Sequence, residues 1–509
     1  MTPLAVKDKL DKLKSNKAQG PDQLPPRVLK ELSDELSIPL TVLFNKSLES
    51  GTLPTDWKTA DITAIFKKGT KSDPGNYRPV SLTCVLCKVL ESIIRDEIVE
   101  HMTKQKLFSD CQHGFRRKRS CITQLLLVME DLTKLVEEGS PFDIVYFDFK
   151  KAFDTVPHQR LLAKLKAYGI GGSVHRWIEG FLKDRKQRVR VGKDFSSYTS
   201  VLSGIPQGSI LGPILFTIFI NDLPDCAQSQ CYIFADDTKI YNKSENHDQI
   251  QNDIDSFLKW SDTWCLYFNA GKCKVMHAGK KNPEHNYKMK IEGKDDVIIL
   301  ECEEEKDLGV TFDKSLKFDV HIQNCISKAN KVLGIIKRSF TYLDTEIFIR
   351  LYKSLVRPIL EYGNVIWYPY LKRQSVAIEK VQRRATKMLP SLRDFSYEDR
   401  LKQMKLPSLK HRRQRGDLIQ VYKIFNDIDD IAPELFFTVS PSAITRNTGS
   451  KMFVKFCKTN TRKYSFSNRV VHAWNSLAAD IKDSTNVNTF KNRLDQDQHF
   501  IKSRYEFDT

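Results

Sequence analysis

The stretch Tyr232-Ile233-Phe234-Ala235-Asp236-Asp237-Thr238-Lys239-Ile240-Tyr241 sets two apolar, strand-forming runs around a pair of adjacent acids. Aromatic and β-branched residues favour strands and Asp-Asp favours a turn, so the segment reads as a β-hairpin with two carboxylates at its tip. Carboxylates held that close repel. A fold keeps such a pair mainly around a hard divalent cation that prefers oxygen ligands. An isolated Asp-Asp is otherwise an ordinary solvated turn, and the rest of the chain has to decide between the two.

Charge narrows the choice of partner. The 509 residues carry 81 Lys and Arg against 63 Asp and Glu, a net charge of +18, which favours a polyanion and above all nucleic acid. Apolar residues at 40% and charged residues at 28% argue against disorder. Eleven cysteines without framework spacing suit a reducing compartment. The longest apolar stretch, Ile210 to Ile220, is too short for a bilayer and contains Gly212 and Pro213, and Met1 to Lys17 has no apolar signal core. These features predict a soluble intracellular protein with several core-bearing units and no membrane partner.

Along the chain, Val6 to Leu13 and Arg27 to Leu36 read as helices, and Trp57 to Phe66 as a strand ending in Lys67-Lys68-Gly69. Asn76-Tyr77-Arg78-Pro79 follows, so the two basic clusters could face each other across a hairpin and suit phosphates, or form a solvated basic loop. Cys84 and Cys87, with Cys111 and His113 downstream, invite a zinc reading. The pair falls inside the apolar helical pattern Leu82, Val85, Leu86, Val89, Leu90, Ile93, which favours buried thiols instead. Gln112-His113-Gly114-Phe115 leads into the cations Arg116, Arg117, Lys118 and Arg119, which offer backbone-phosphate contacts or a solvated cluster.

Phe142 to Phe149 is an apolar strand interrupted by Asp148, an acid that is costly there unless it is paired or binds metal. Asp148 becomes the third carboxylate of the cluster if its strand neighbours the Asp236-Asp237 hairpin. Arg188 and Arg190 share one strand face, and the glycines around Gln207 let backbone approach a ligand. Ile250, Ile254, Phe257 and Leu258 mark a helix covering the rear of the sheet. Further on, Phe318 to Leu333 and Glu346 to Leu360 have helical periodicity. Lys380, Arg383, Arg384 and Lys387 form a basic stripe opposite Ile378, Val381, Ala385 and Met388. His411 to Arg415 is expected to add basic surface, Ser440 to Gly449 to form a loop or linker, and Phe453 to Arg493 a small terminal unit.

Taken in order, Asn76 to Leu82, Gln112 to Arg116, Asp148 to Asp154, Gly204 to Gly208, Phe234 to Asp237, Lys272 and Leu308-Gly309-Val310 resemble the motif series of non-LTR (LINE-type, jockey-like) retrotransposon reverse transcriptases. Lys17 to Asp22 resembles the segment just upstream of that series. The resemblance implies an α/β (α+β) right-hand polymerase with fingers, an antiparallel-sheet palm and a helical thumb, plus a small C-terminal region. Its implied divisions are 1–50 (N-terminal extension), 51–141 (fingers), 142–300 (palm), 301–395 (palm–thumb junction and thumb) and 396–509 (basic C-terminal region), with a reverse transcriptase domain over roughly 48–315.

The implied activity is RNA-directed DNA synthesis from a DNA primer or nicked target, with an RNA template, dNTPs and two magnesium ions, manganese being an alternative. Asp148 and Asp236 would be the principal ligands, with Asp237 beside them. Lys272, or alternatively Lys274, would protonate pyrophosphate. Arg78 with Lys67 or Lys68 would hold the triphosphate, and Gln207 and Gly208 would line the nascent pair. Phe153 would lie under the sugar or else be core. Arg116, Arg117 and Arg119, with Lys380, Arg383, Arg384 and Lys387, would meet nucleic-acid backbone. Neither an upstream endonuclease nor a downstream Cys/His nuclease is readable in the sequence, and nuclear action is expected from the family. A non-catalytic nucleic-acid-binding remnant is the alternative function.

Overall fold

The computed structural model describes residues 1–290, 295–340, 342–439 and 451–508; the Ser440 to Gly449 segment expected as a loop lies outside the described residues. Two sheets and a helical assembly carry the architecture. In the first sheet β1 (Thr59–Phe66) and β2 (Tyr77–Leu82) form an antiparallel pair that sets Ile65 opposite Arg78. β4 (Lys186–Val191) runs parallel to β1, and the short strands β5 (Asp194–Phe195) and β6 (Thr199–Ser200) both pair with it. Arg188 and Arg190 do share a face there, both lying over the Phe195 ring.

The second sheet holds β3 (Phe142–Phe147), β7 (Gln230–Phe234), β8 (Asp237–Lys243), β9 (Lys274–Ala278) and β12 (Leu300–Glu301), in the order β12-β9-β3-β8-β7. β3 is central and antiparallel to both β8 and β9. Two-residue periodicity sends its side chains to opposite faces. Val145 and Phe147, with Ile240 and Val275, enter one core; Phe142 and Ile144, with Tyr241 and Met276, enter another. The strand is therefore almost wholly apolar because it is buried on both faces. Two minor hairpins, β10 (Lys288–Met289) with β11 (Val297–Ile298) and β13 (Glu304–Asp307) with β14 (Val310–Asp313), flank this sheet in sequence.

On the first face lie the helices Val85–Lys104, Gly212–Phe219 and His247–Trp264, the last covering the sheet through Ile250, Ile254 and Phe257. Cys84 hydrogen-bonds Asp22, and Cys87 is fully buried. On the second face lie Cys121–Glu138, Asp319–Ser339, Lys372–Thr386 and Leu409–Phe425.

Residues 451–508 contribute to this second core, with Val470, Trp474, Phe490 and Leu494 buried in it. A buried ion pair ties them back across the chain: Arg462 donates to Glu130 at 2.6 Å and to Thr133, and Ser467 caps the other Glu130 oxygen at 2.6 Å. Glu137, at the end of the same helix, accepts from the amide and hydroxyl of Thr459. The expected basic surface at His411 to Arg415 is corrected only in part: Arg412 and Arg415 stay half-buried at a surface cleft, but each is paired with an acid. Arg413 is buried, Arg412 grips Glu361 and Arg415 forms a two-bond pair with Asp495. Arg412 and Arg415 are thus matched by acids that arrive from distant sequence, while Arg413 donates to the Ser375 hydroxyl.

Removing one partner of a buried pair strands the other charge, at a cost of about 3–5 kcal/mol. Arg462→Ala should therefore lower the urea-unfolding free energy by about that amount, while Arg462→Met combined with Glu130→Leu recovers much of the loss. A single variant as stable as the parent would show that Glu130 and Arg462 do not depend on each other.

Candidate active site

The β7–β8 hairpin closes on the pair Phe234 and Asp237, leaving Ala235 and Asp236 as its two-residue loop. Ala235 has φ +57°, the left-handed conformation that short hairpin loops demand. The two acids are thus divided: Asp236 is in the turn and Asp237 is the first residue of β8. The segment Cys111 to His113 runs alongside β7, with the His113 amide donating to Ile233 and the Ile233 amide to Cys111. From there the buried Gln112 carboxamide oxygen accepts from the Ala235 amide at 3.0 Å and the Gly114 amide at 2.7 Å. A Cβ on Gly114 would sit 2.4 Å from the Ala235 nitrogen, so only glycine allows the approach.

Asp148 follows β3 directly. The last β3–β8 pair is Phe147 with Thr238, which brings Asp148 to the Asp237 end of the hairpin. Its carbonyl accepts from the Asn269 amide at 2.6 Å, fixing the turn that holds Lys272. Lys272 Nζ lies 3.3 Å from Asp148 Oδ2, a buried oxygen with no hydrogen-bond partner. Lys274 instead pairs with Glu305 at 2.7 Å.

Burial pushes the Asp236 carboxyl up and the Asp148 charge pushes it further, while Lys67 and Arg78 act in the opposite direction. The first sheet's basic hairpin therefore projects its field onto the acidic one. Asp237 is pushed up to about 6, by burial first and then by Asp236, Asp307 and Asp148, with Lys239 opposing. Lys239 and Asp307 form a buried ion pair joining β8 to β13. Lys67 and Lys68 are exposed at the end of β1, and the Lys67 amide donates to Asn76 across the hairpin at 2.9 Å.

The two glycines around Gln207 make close approaches. A Cβ on Gly208, which has φ +134°, would meet the Ser81 carbonyl at 2.3 Å, and one on Gly204 would meet Asp154 backbone at 2.5 Å. Gln207 donates its amide to Asp154 Oδ1 at 2.8 Å, and its carbonyl accepts from the Ser81 amide. Ser81, Asp154, Gly204 and Gln207 line a cleft of about 360 Å³ between β1, β4 and the Gln207 loop. Phe153 is half-buried and stacks on Phe216, with centroids 4.3 Å apart.

The basic residues divide. Arg119 pairs with Asp430 and Asp110, Arg116 donates to the Ser109 carbonyl, and Arg117 makes no ion pair among the described residues. Lys380, Arg384 and Lys387 are exposed along their helix, whereas Arg383 turns over the rings of Tyr397 and Phe507. Two positioning residues carried no chemical signal in the sequence. One is Gln112, read there as the start of a basic run and of the Gln112 to Arg116 motif, with no role of its own. The other is Glu91, buried in an apolar helix, whose carboxylate accepts from Ser209 Oγ at 2.5 Å and the Ile210 amide at 2.7 Å, holding the end of the Gln207 loop.

Among the described residues no three His, Cys, Asp or Glu side chains converge tightly enough to enclose a metal ion. The donor set is an open one: carboxylates at one end of a sheet, with the buried Asp148 Oδ2 held only by the Lys272 ammonium at 3.3 Å. That suits a cation which keeps water and phosphate oxygens as its other ligands, as magnesium does.

A two-sheet α/β chain with acids at the tip of one hairpin and cations on the facing one is a polymerase-like arrangement, and comparison with known proteins defines the class. The reverse transcriptase (RNA-dependent DNA polymerase) family profile matches residues 65–342, and the chain belongs to that family. It is similar to the RNA-directed DNA polymerases from mobile element jockey of Drosophila melanogaster, 30% identical over 71% of this chain, and of Drosophila funebris, 32% identical over 71%. The probable RNA-directed DNA polymerase from transposon BS of Drosophila melanogaster is 27% identical over 76% of the chain. The match spans 41% of each jockey protein and 44% of the BS protein. Among the described residues no helix is long and apolar enough to cross a membrane.

Beside Gln112, His113 is fully buried. Its Nδ1–H donates to Thr123 Oγ1 at 2.9 Å, since that hydroxyl's own proton goes to the Ser120 carbonyl. Burial, then Arg119 and Arg116, push its pKa down to about 2. An unfolded histidine titrates near about 6.5. Below that pH the unfolded chain binds a proton that the folded chain refuses, so stability falls with added acid, by about 2 kcal/mol at about pH 5. His113→Asn should make the melting temperature fall less steeply between about pH 6.5 and 4.5 than in the parent. Equal slopes would mean that His113 is not held neutral.

Proposed function

We propose that this chain is an RNA-directed DNA polymerase that extends a DNA 3′-hydroxyl on an RNA template by two-metal nucleotidyl transfer. The observation that carries the reading is the juxtaposition of Asp148 with Asp236 under the opposing charges of Lys67 and Arg78. In this reading the first sheet serves as fingers, the second as palm, and the helices from Asp319 onward as thumb.

Asp148 and Asp236 would hold two magnesium ions, or manganese, with Asp237 adding charge and a weaker contact. When bound, such ions lower the pKa of the attacking hydroxyl and offset charge on the leaving oxygens. The protein's own residues supply the rest. Arg78, with Lys67 or Lys68, binds the triphosphate, its planar guanidinium taking two oxygens at once. Lys272, beside Asp148 and free of the competing carboxylate that occupies Lys274, gives a proton to departing pyrophosphate. Gln207 and Gly208 form the floor for the nascent pair, held by Asp154 and Ser81. RNA template, primer or nicked DNA, and dNTPs are the partners in this reading, and the exposed Lys380, Arg384 and Lys387 meet backbone phosphates. Nuclear action follows from the same reading, because target DNA is there.

Asp148→Asn and Asp236→Asn should each abolish primer extension while leaving template binding intact or stronger, because a repulsive charge is removed. Extension near the parental rate in either variant would remove the two-metal assignment. Parental protein that binds RNA yet never extends would point to a non-catalytic binding role.

Phe153 supports a second test. Phe153 stacks on Phe216; in this reading its ring lies under the incoming sugar, where a ribose 2′-hydroxyl would be crowded and left without a hydrogen-bond partner. Phe153→Val should relax discrimination against ribonucleotides by about one to two orders of magnitude, equivalent to about 1–3 kcal/mol. Single-nucleotide kcat/KM for ribo- and deoxyribonucleotides reads this, and an unchanged ratio would leave Phe153 as a core residue.

A further inference from the structure

A second cleft, of about 310 Å³, opens among elements that contribute nothing to the candidate active site. Its walls come from the turn Tyr352–Val356, the helix Arg357–Glu361, the first turns of Leu409–Phe425 and the terminal helix Gln498–Lys502. Six cations line it: Lys353, Arg357, Lys405, Arg412, Arg415 and Arg504. Two carboxylates answer them. Glu361 takes Arg412 and, at 3.8 Å, Arg357, while Asp495 takes Arg415. Among the described residues no carboxylate pairs with Lys353, Lys405 or Arg504, and the buried Arg504 Nε has no hydrogen-bond partner.

The cluster is therefore under internal repulsion. Burial and then the Arg357 and Arg412 charges push the Lys353 ammonium down, and burial and then Arg412 do the same to Arg357. A fold that collects six cations around two acids in a concave site gains from an anion that enters it. The cleft also has an apolar side. Phe500 packs on the His411 ring at 4.2 Å, and Ile501, 41% exposed, lies next to it. Cations interleaved with an aromatic surface suit a nucleotide unit, phosphate on the arginines and base on the ring.

We infer that this cleft is a second nucleic-acid site, which grips the phosphodiester backbone of one unpaired strand through Lys353, Lys405 and Arg504. Its volume admits a phosphate or two with one base and excludes a duplex. Free phosphate or pyrophosphate shares the same chemistry and has to be told apart by experiment.

The test uses the full chain and a labelled single-stranded RNA 20-mer without primer or nucleotide, read by fluorescence anisotropy. This readout stands whether or not the protein extends primers. In Lys353→Ala/Arg504→Ala, affinity should fall at least about tenfold and the slope of log K against log salt should become shallower by about 1.4, the value for two lost contacts to a single strand. Neither substitution strands a carboxylate. Lys405→Glu, at an exposed position, should weaken binding in the same direction. Lys14→Ala/Lys280→Ala, which removes two exposed cations elsewhere, should bind as the parent. Parental affinity and slope in both cleft variants would overturn the assignment. So would loss of inorganic pyrophosphate binding in the double variant with RNA affinity unchanged, which would make this a small-anion site.

Discussion

The carboxamide of Gln112 is the contact on which the candidate active site most depends. One oxygen, fully buried, accepts from the Ala235 amide at the hairpin tip and from the Gly114 amide in its own segment. Unpaired buried amides cost about 1–3 kcal/mol each, so the contact both closes the Ala235-Asp236 loop and fixes the segment lying against β7. The tip needs such a restraint because it works against repulsion: the Asp148 charge raises the cost of ionising Asp236, and the Asp236 and Asp148 charges raise that of Asp237. Without an internal clamp, a two-residue loop carrying a charge would relieve that strain by turning away.

The same economy of charge runs through the molecule. An excess of cations suggests a uniformly basic surface, yet many of them face inward on specific acids. Arg462 meets Glu130, Arg469 meets Asp417, Arg412 meets Glu361 and Arg119 meets Asp430. The first and last fasten the C-terminal part to the helix Cys121–Glu138 and to the loop beside Gln112, and the other two join the C-terminal helices to one another. Cations without an acid partner among the described residues include Lys67 and Lys68 in the β1–β2 hairpin, Lys380 and Lys387 on and just after the helix Lys372–Thr386, and Lys353, Lys405 and Arg504 in the second cleft. These give a polyanion free charge to meet at three separate surfaces.

Much of this was legible in the sequence because its signals are local. Strand-forming runs around Asp236-Asp237 specify a hairpin wherever they occur. An acid at the end of the apolar run Phe142 to Phe147 requires a special environment, and the sheet order supplies it by placing β3 beside β8. The facing of Lys67 and Arg78 was one of two readings open in the sequence, and the pairing of β1 with β2 is what brings the two ends of the hairpin together. The finer division of the acids, one in the turn and one in the strand, depends on the left-handed Ala235, which periodicity does not announce. Long-range pairing was not legible at all. Arg116 to Arg119 and His411 to Arg415 look like solvated basic runs because Asp430, Glu361 and Asp495 lie tens to hundreds of positions away. Gln112 and Glu91 act through geometry alone, and no composition or spacing marks a single amide or a single acid inside an apolar helix.

The most direct measurement is the single-turnover rate of one-nucleotide addition by Gln112→Met, with hydrogen exchange at the Ala235 amide followed in the same protein. Methionine keeps the length of the side chain and removes the acceptor. The account predicts that Ala235 loses protection and that the rate falls at least about tenfold, equivalent to about 1.4 kcal/mol, while primer–template affinity stays near the parental value. A parental rate in a variant whose Ala235 amide has become exposed would contradict it, because the carboxylates would then hold their working positions without the clamp.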